Sequence, residues 1–329
     1  MTQREDSPRI VILGRAVAPE AMALAEEAGA SVTASETYLR GPDLEAFIAE
    51  HQPHGVIVRL GEMTAAAMAR APDLRIIAKH GVGYDTIDVE AAAERGILVS
   101  IAAGANAISV AEHSFALMLG VARRTAWLDM RMRSGHWDKP HFLGSELYGK
   151  TLGIVGFGAI GRHLAGIADG FGMNVLKFDP ADPEPSGRGE RPVASLDTLL
   201  DASDIVSLHC PLTPATRNMI GEREFARMKD GAVLINTARG GLVDLNALGA
   251  ALREGRIGGA GLDTFPHEPP QLTSDLTALA NLVLSPHIGA STFEAGTRVG
   301  LLAMQQILDA VAGRPIDPHY LVRTLSPQR

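Results

Sequence analysis

The sequence predicts an α/β protein built from two doubly wound parallel sheets, and three observations carry that expectation. Short apolar strands alternate with helical segments through the first hundred residues, the same alternation restarts at Thr151, and a long apolar helix separates the two series. With 329 residues and 46% hydrophobic content, the chain can supply a core to each of two domains of ordinary size.

In the first series the pattern predicts strands at 9–14, 55–60, 74–79 and 97–100, with helices near 19–28, 64–70 and 89–95. Residues 109–123, beginning Ser109-Val-Ala-Glu-His-Ser-Phe, are apolar on nearly every side and long enough to cross a domain, which predicts a buried connecting helix. The second series places strands near 152–156, 174–178, 204–208, 231–236, 258–262 and 282–284. Residues 179–192, rich in Pro, Asp and Gly, read as a loop. Ser291-Thr-Phe-Glu294 has the capping-box spacing and opens a helix to about residue 312, ended by Gly313-Arg-Pro. Which series that helix packs on is open at this point. No short repeat, low-complexity tract or heptad pattern interrupts the chain.

Thirty basic and 38 acidic residues give a net charge of −8 without a block of like charge, so neither a nucleic-acid surface nor an anionic membrane is indicated. No apolar stretch approaches the length of a membrane span, and the N-terminus lacks the basic-then-apolar order of a secretory signal. A cytoplasmic protein is expected. The single cysteine, Cys210, excludes an intramolecular disulfide and makes a thiolate metal site unexpected; it reads as a buried or ligand-side residue rather than a nucleophile.

The strand at 152–156 runs directly into Gly156-Phe-Gly158-Ala-Ile-Gly161 and then a helix. That order suits a pyrophosphate: Gly156 makes the tight turn, Gly158 lets backbone N–H groups approach the phosphates, and Gly161 lets helix and strand pack closely. The turn makes the second domain Rossmann-like. Eighteen residues beyond Gly161, the next strand ends at Asp179, placed to accept the hydroxyls of an adenosine ribose and to repel a 2′-phosphate. NAD is therefore expected as the cofactor.

Three later strands end in polar residues where ligands sit in open α/β sheets: Asn236-Thr-Ala-Arg239-Gly-Gly, Asp263-Thr-Phe-Pro-His-Glu268-Pro and Ser285-Pro-His287-Ile-Gly. Arg239 offers a planar fork for a carboxylate. A histidine beside a carboxylate can supply a proton near neutral pH, which hydride delivery to a carbonyl requires. Arg239, Glu268 and His287 thus form a set for reducing a 2-oxo acid: anchor, orienting carboxylate and acid/base.

Taken together, Gly156-Phe-Gly-Ala-Ile-Gly161, His209-Cys-Pro-Leu-Thr-Pro, Asn236-Thr-Ala-Arg-Gly-Gly, Asp263-Thr-Phe-Pro-His-Glu-Pro and Ser285-Pro-His-Ile-Gly289 closely resemble the D-isomer-specific 2-hydroxyacid dehydrogenases over essentially the whole chain. The resemblance implies those catalytic roles for Arg239, Glu268 and His287, a nicotinamide carboxamide contact for Asp263, and NAD-site positions for Ala159, Ile160, Cys210, Thr237, Ala238 and Gly289. It further implies a discontinuous substrate domain, 1–105 with 292–329, an NAD-binding domain, 106–291, a cleft between them, and a homodimer.

Lys79-His-Gly81-Val82-Gly83-Tyr-Asp85 also resembles this family, in which backbone amides of such a loop hold the substrate carboxylate opposite Arg239. Gly81 and Gly83 permit the nest-like conformation that requires. Arg59 and Lys79 resemble the phosphoglycerate dehydrogenase branch, where basic groups meet a substrate phosphate. No regulatory domain is expected after residue 329, which leaves a hydroxypyruvate or glyoxylate reductase equally open. Trp137 is expected at the cleft mouth or against a partner subunit, and His136 and His141 in solvent or an interface; no metal site is expected. The rival is a dinucleotide-sensing binding protein similar to related transcriptional corepressors, disfavoured by composition and the lack of appended tails. Formate dehydrogenase, of the same fold, resembles the chain less around Glu268.

Overall fold

A computed structural model describes residues 7–185 and 189–322. Most of the N-terminal stretch inspected for a signal, three residues of the loop expected at 179–192, and the last seven residues lie outside the described residues. The chain divides into two compact units, Met1–Asn106 with Thr292–Arg329, and Ala107–Ser291. Among the described residues each contains one sheet whose strands pair in parallel, in agreement with the doubly wound expectation, and an isolated antiparallel bridge joins Ser100 to Leu321.

The first unit carries β1 (Arg9–Leu13), β2 (Ser31–Ala34), β3 (Gly55–Val58), β4 (Ile76–Lys79) and β5 (Leu98–Ile101), ordered β2-β1-β3-β4-β5. Its helices are α1 (Pro19–Glu27), α2 (Gly41–His51), α3 (Ala65–Met68), α4 (Val89–Glu94) and the returning α12 (Phe293–Val311). The order reverses between β1 and β3, so the loops after these strands flank a topological switch point. Strand β2 and helix α2 were not predicted. Ser31-Val-Thr-Ala is a short, partly exposed edge strand without an apolar run, and α2 fully buries only Leu44 and Ile48, a stripe too sparse to stand out.

Helix α12 packs on α1, β3 and β4. Its face of Val299, Ala303, Met304 and Ile307 is buried, and each of the larger side chains contributes roughly 1.5–3 kcal/mol. The cap is Thr292, whose hydroxyl accepts from the Ala295 amide at 3.1 Å, one residue beyond the Ser291 that the sequence suggested. The buried polar group on this face is satisfied: Ser100 donates to Gln306 at 2.8 Å, and Gln306 donates to the Ile101 carbonyl.

The second unit carries β6 (Thr151–Val155), β7 (Asn174–Phe178), β8 (Arg191–Pro192), β9 (Ile205–Leu208), β10 (Val233–Asn236), β11 (Gly259–Leu262) and β12 (Leu282–Leu284), ordered β12-β11-β10-β9-β6-β7-β8. The expected loop at 179–192 therefore ends in a strand: β8 pairs with Leu176 and Lys177 as an edge strand, the position where proline is tolerated. Helix α5 (Ala107–Arg123) packs on α7 (Ala159–Gly170) and on β10 and β11. Helix α6 (Thr125–Arg133), also unpredicted, buries no residue fully. The remaining helices are α8 (Leu196–Ala202), α9 (Glu222–Arg227), α10 (Leu245–Arg253) and α11 (Ser274–Thr277). Among the described residues, no helix is long and apolar enough to cross a membrane.

Candidate active site

In the second unit the strand order reverses between β6 and β9, and the glycine turn follows β6 at that point. Gly156 has φ +90°, and a Cβ there would lie 2.6 Å from the Cys210 amide nitrogen. At Gly161 a Cβ would lie 2.6 Å from the Gly156 carbonyl oxygen, so these two glycines are demanded by the protein itself. Gly158 differs. It has ordinary φ and open space around a built Cβ, and no side chain caps α7 behind it. The first-turn amides of α7 thus face a volume that only a small backbone leaves clear, a fit for a dinucleotide pyrophosphate.

Asp179 closes this site from the end of β7. Its Oδ2 accepts from the Phe157 amide at 2.7 Å and its Oδ1 from the Ala181 amide at 2.9 Å, which fixes the carboxylate beside the turn. A cluster absent from the sequence reading lies next to it. Lys177, fully buried on β7, and Arg162 of α7 both bond Asp182, at 3.1 and 2.5 Å, and both stack over the Phe157 ring. These hydrogen bonds, Lys177 first, hold the Asp182 carboxyl below its ordinary value. Three charges spread over twenty residues gave no readable pattern.

The polar strand ends form one network. Glu268 Oε2 is 2.7 Å from His287 Nδ1, while Oε1 accepts from the Phe265 amide at 3.0 Å. His287 itself has φ +54°, and its amide donates to the Asp263 carbonyl at 2.8 Å. A left-handed backbone at a non-glycine residue costs of order 1–3 kcal/mol and persists only where its surroundings hold it. Asp263 provides the hold: its carboxylate accepts from Ser285 Oγ (2.6 Å) and the amides of Ile288 (2.9 Å) and Gly289 (2.8 Å), with His113 Nε2 of α5 at 3.3 Å. Burial alone would raise the proton affinity of Asp263; the donors from His113, Ser285, Ile288 and Gly289 overcome it and hold the carboxyl far below the usual range.

Arg239 follows β10 at the start of a 3-10 turn, Gly240–Leu242. Asn236 shapes the approach, accepting from the Ala238 amide at 3.0 Å and donating to the Arg239 carbonyl at 2.8 Å. A Cβ on Gly240 would lie 1.9 Å from the Phe265 carbonyl carbon, so the Arg239 and Glu268 loops touch through bare backbone. The Thr237 hydroxyl is 2.7 Å from that of Ser114, whose proton goes to the Val110 carbonyl, so Thr237 donates inward to α5. Cys210 donates to Met219 Sδ at 3.7 Å, and burial pushes its thiol up to about 11, which removes it as a nucleophile near neutral pH.

In the first unit Arg59 follows β3, Lys79 is the last residue of β4, and Gly81, Val82 and Gly83 lie in the loop after it. Arg59, after β3, donates from Nη1 to the carbonyls of Arg15 (3.3 Å) and Ala16. His80, after β4, is lowered to about 4, chiefly by burial and next by the charge of Arg59. Gly81 has φ +147°, and its amide turns back onto the Lys79 carbonyl at 2.8 Å. The anion-holding loop inferred for Gly81, Val82 and Gly83 is thus left with the amides of Val82 and Gly83.

Residues 115–289 match the family model described as D-isomer specific 2-hydroxyacid dehydrogenase, NAD binding domain. The chain is 46% identical over 271 residues to glyoxylate reductase of Thermococcus litoralis, covering 79% of this chain and 81% of that one. It is 43% identical over 261 residues to D-3-phosphoglycerate dehydrogenase of Methanocaldococcus jannaschii, covering 78% of this chain but 50% of the relative. The chain thus spans about half the length of that dehydrogenase. Among solved structures, the TT0316 protein of Thermus thermophilus superposes with a TM-score of 0.86 at 36% identity, covering 95% of this chain and 100% of that one.

Proposed function

The chain belongs to the D-isomer-specific 2-hydroxyacid dehydrogenase family, and from that premise we propose that it interconverts a small 2-oxo acid and the corresponding D-2-hydroxy acid, with NAD as cofactor. The carrying observation is the Glu268–His287 pair, held at 2.7 Å in the same unit as an uncapped glycine turn with open space at Gly158. When bound, NADH supplies a hydride from its nicotinamide C4.

The protein's part is to bind, orient and move a proton. The α7 amides and Asp179 hold the dinucleotide. Asp179 supports NAD over NADP, because its carboxylate, fixed by the Phe157 and Ala181 amides, would face a 2′-phosphate as a like charge. Ala159, Ile160, Cys210 and Ala238 line this site, and Asp263 meets the nicotinamide carboxamide with acceptor capacity left over from the turn. Glu268 fixes the His287 ring through Nδ1, which leaves Nε2, on a half-exposed ring, to deliver a proton to the substrate oxygen. In the second unit Arg239 takes the carboxylate, and in the first the Val82 and Gly83 amides are donors for an anion.

A phosphorylated 2-oxo acid is the second reading, supported by the 43% identity to D-3-phosphoglycerate dehydrogenase of Methanocaldococcus jannaschii. NADH oxidation with glyoxylate, hydroxypyruvate and 3-phosphohydroxypyruvate tests both. Turnover with at least one, lost in His287→Asn, is expected; a chain that binds NADH but turns over no 2-oxo acid would be the sensing protein instead.

The proposed assembly is a homodimer, supported by exposed apolar side chains at Met130, Met132, Trp137, Leu143 and Tyr148, and sedimentation checks it. A cytoplasmic location fits a chain with one cysteine, and fractionation checks that.

A further inference from the structure

Helix α5 is buried along most of its length by Ala107, Val110, Ala111, Phe115, Leu117 and Met118, yet it carries one imidazole toward the polar strand ends. His113 Nε2 is 2.8 Å from Ser285 Oγ and 3.3 Å from Asp263 Oδ1. Donor chemistry fixes the direction. The serine has one proton and gives it to Asp263 at 2.6 Å, so toward His113 its oxygen can only accept, and Nε2 must carry the hydrogen. That orders a chain from helix to turn: His113 donates to Ser285 at the shorter distance while its hydrogen also faces Asp263 Oδ1, Ser285 donates to Asp263, and Asp263 accepts the Ile288 and Gly289 amides that follow His287.

The spacing around this chain is close. A Cβ on Gly289 would lie 3.0 Å from Asp263 Oδ2 and 3.5 Å from His113 Cδ2, so the turn is drawn against both side chains. The strained φ of His287 is thereby held from two directions, by its own amide on the Asp263 carbonyl and by the Ile288 and Gly289 amides on the Asp263 carboxylate.

We propose that His113 is a positioning residue: by donating Nε2–H to Ser285 it sets the hydroxyl that orients Asp263, and so fixes the turn that presents the His287 ring. It touches neither substrate nor cofactor in this role, which rests on the proposed proton transfer by His287. The effect is on placement, and a displacement of about 1 Å at a reacting group can cost on the order of a hundredfold in rate.

The test compares His113→Leu, which keeps bulk without a donor, with His113→Gln, which keeps a donor. In the leucine variant, the Ile288 and Gly289 amides should exchange hydrogen at least about tenfold faster. Its kcat for 2-oxo acid reduction should fall at least about tenfold, with KM changed less than about threefold. The glutamine variant should restore both exchange and kcat to within about threefold of wild type, a rescue that mere loss of packing would not allow. Wild-type exchange in the leucine variant overturns the proposal, as does faster exchange with unchanged kcat. Should the wild-type protein reduce no 2-oxo acid, the function proposed above fails while the exchange comparison still decides whether His113 holds the turn. If His113→Leu does not fold, Ser285→Ala takes its place: faster exchange at the same two amides supports the chain, and unchanged exchange overturns it.

Discussion

At the strand ends of the first unit, Arg59 gives guanidinium hydrogens to the carbonyls of Arg15 and Ala16; at those of the second, Asp179 and Asp263 gather backbone amides onto their carboxylates. Both sheets are parallel and both reverse order near these loops, so topology offers each a ligand site. What differs is how tightly the loops are fixed. A carboxylate accepting several charge-assisted amide bonds pins the backbone at several points, whereas one arginine on two carbonyls pins one loop at one place. The second unit is therefore suited to chemistry that needs fixed geometry. The first, with Leu60, Val82 and Tyr84 exposed on its loops, is suited to choosing among substrates.

The contrast breaks most sharply at His287, the proposed proton carrier. His287→Asn should lower kcat by about a hundredfold or more, the usual scale for a lost general acid, with NADH affinity unchanged. Glu268→Gln should lower kcat less, by about tenfold, because the ring remains but loses its orienting carboxylate. Steady-state kinetics alongside NADH titration checks both, and a loss confined to KM would move these residues out of the proton-transfer role. Next in size, Asp179→Ala should raise the NADPH-to-NADH ratio of kcat/KM by at least about tenfold, since the like charge facing a 2′-phosphate is gone. An unchanged ratio would remove Asp179 from that role.

The smallest effect is expected in the first unit. Because Arg59 already serves two carbonyls, Arg59→Ala should cost less than about tenfold in kcat/KM, and equally for hydroxypyruvate and 3-phosphohydroxypyruvate. A loss selective for the phosphorylated acid would make the two units alike, each with a charged group fixed for its ligand, and would favour the second reading of substrate.

Much of the second unit was legible because single residues carry separable demands. Gly156 and Gly161 answer to φ and to a carbonyl contact, Asp179 ends a strand at the ribose distance, and Glu268 and His287 end loops that the strand pattern brackets. His113 was not legible, because one histidine in an apolar helix announces no partner, and Asp263 lies 150 residues away. Nor was Asp182 with Arg162 and Lys177, since only the fold brings β7, α7 and the following loop to one point. The turn of the Gly81 amide onto the Lys79 carbonyl was not legible for a related reason: a glycine signals freedom in φ but not which way its N–H will turn. Strand β2 and helix α2 escaped because edge position and sparse burial leave little apolar pattern to read.

Whether the turn after β6 is kept open for a dinucleotide rather than for the protein's own packing is decided at Gly158. A Cβ there meets nothing within 4 Å, and φ −70° suits alanine, so Gly158→Ala should unfold at the wild-type temperature to within about 2 °C. Its Kd for NADH, measured by fluorescence titration on the same preparation, should nevertheless rise at least about tenfold, because the methyl group occupies the approach to the α7 amides. A wild-type Kd in a stably folded Gly158→Ala protein would mean that the turn does not receive the dinucleotide.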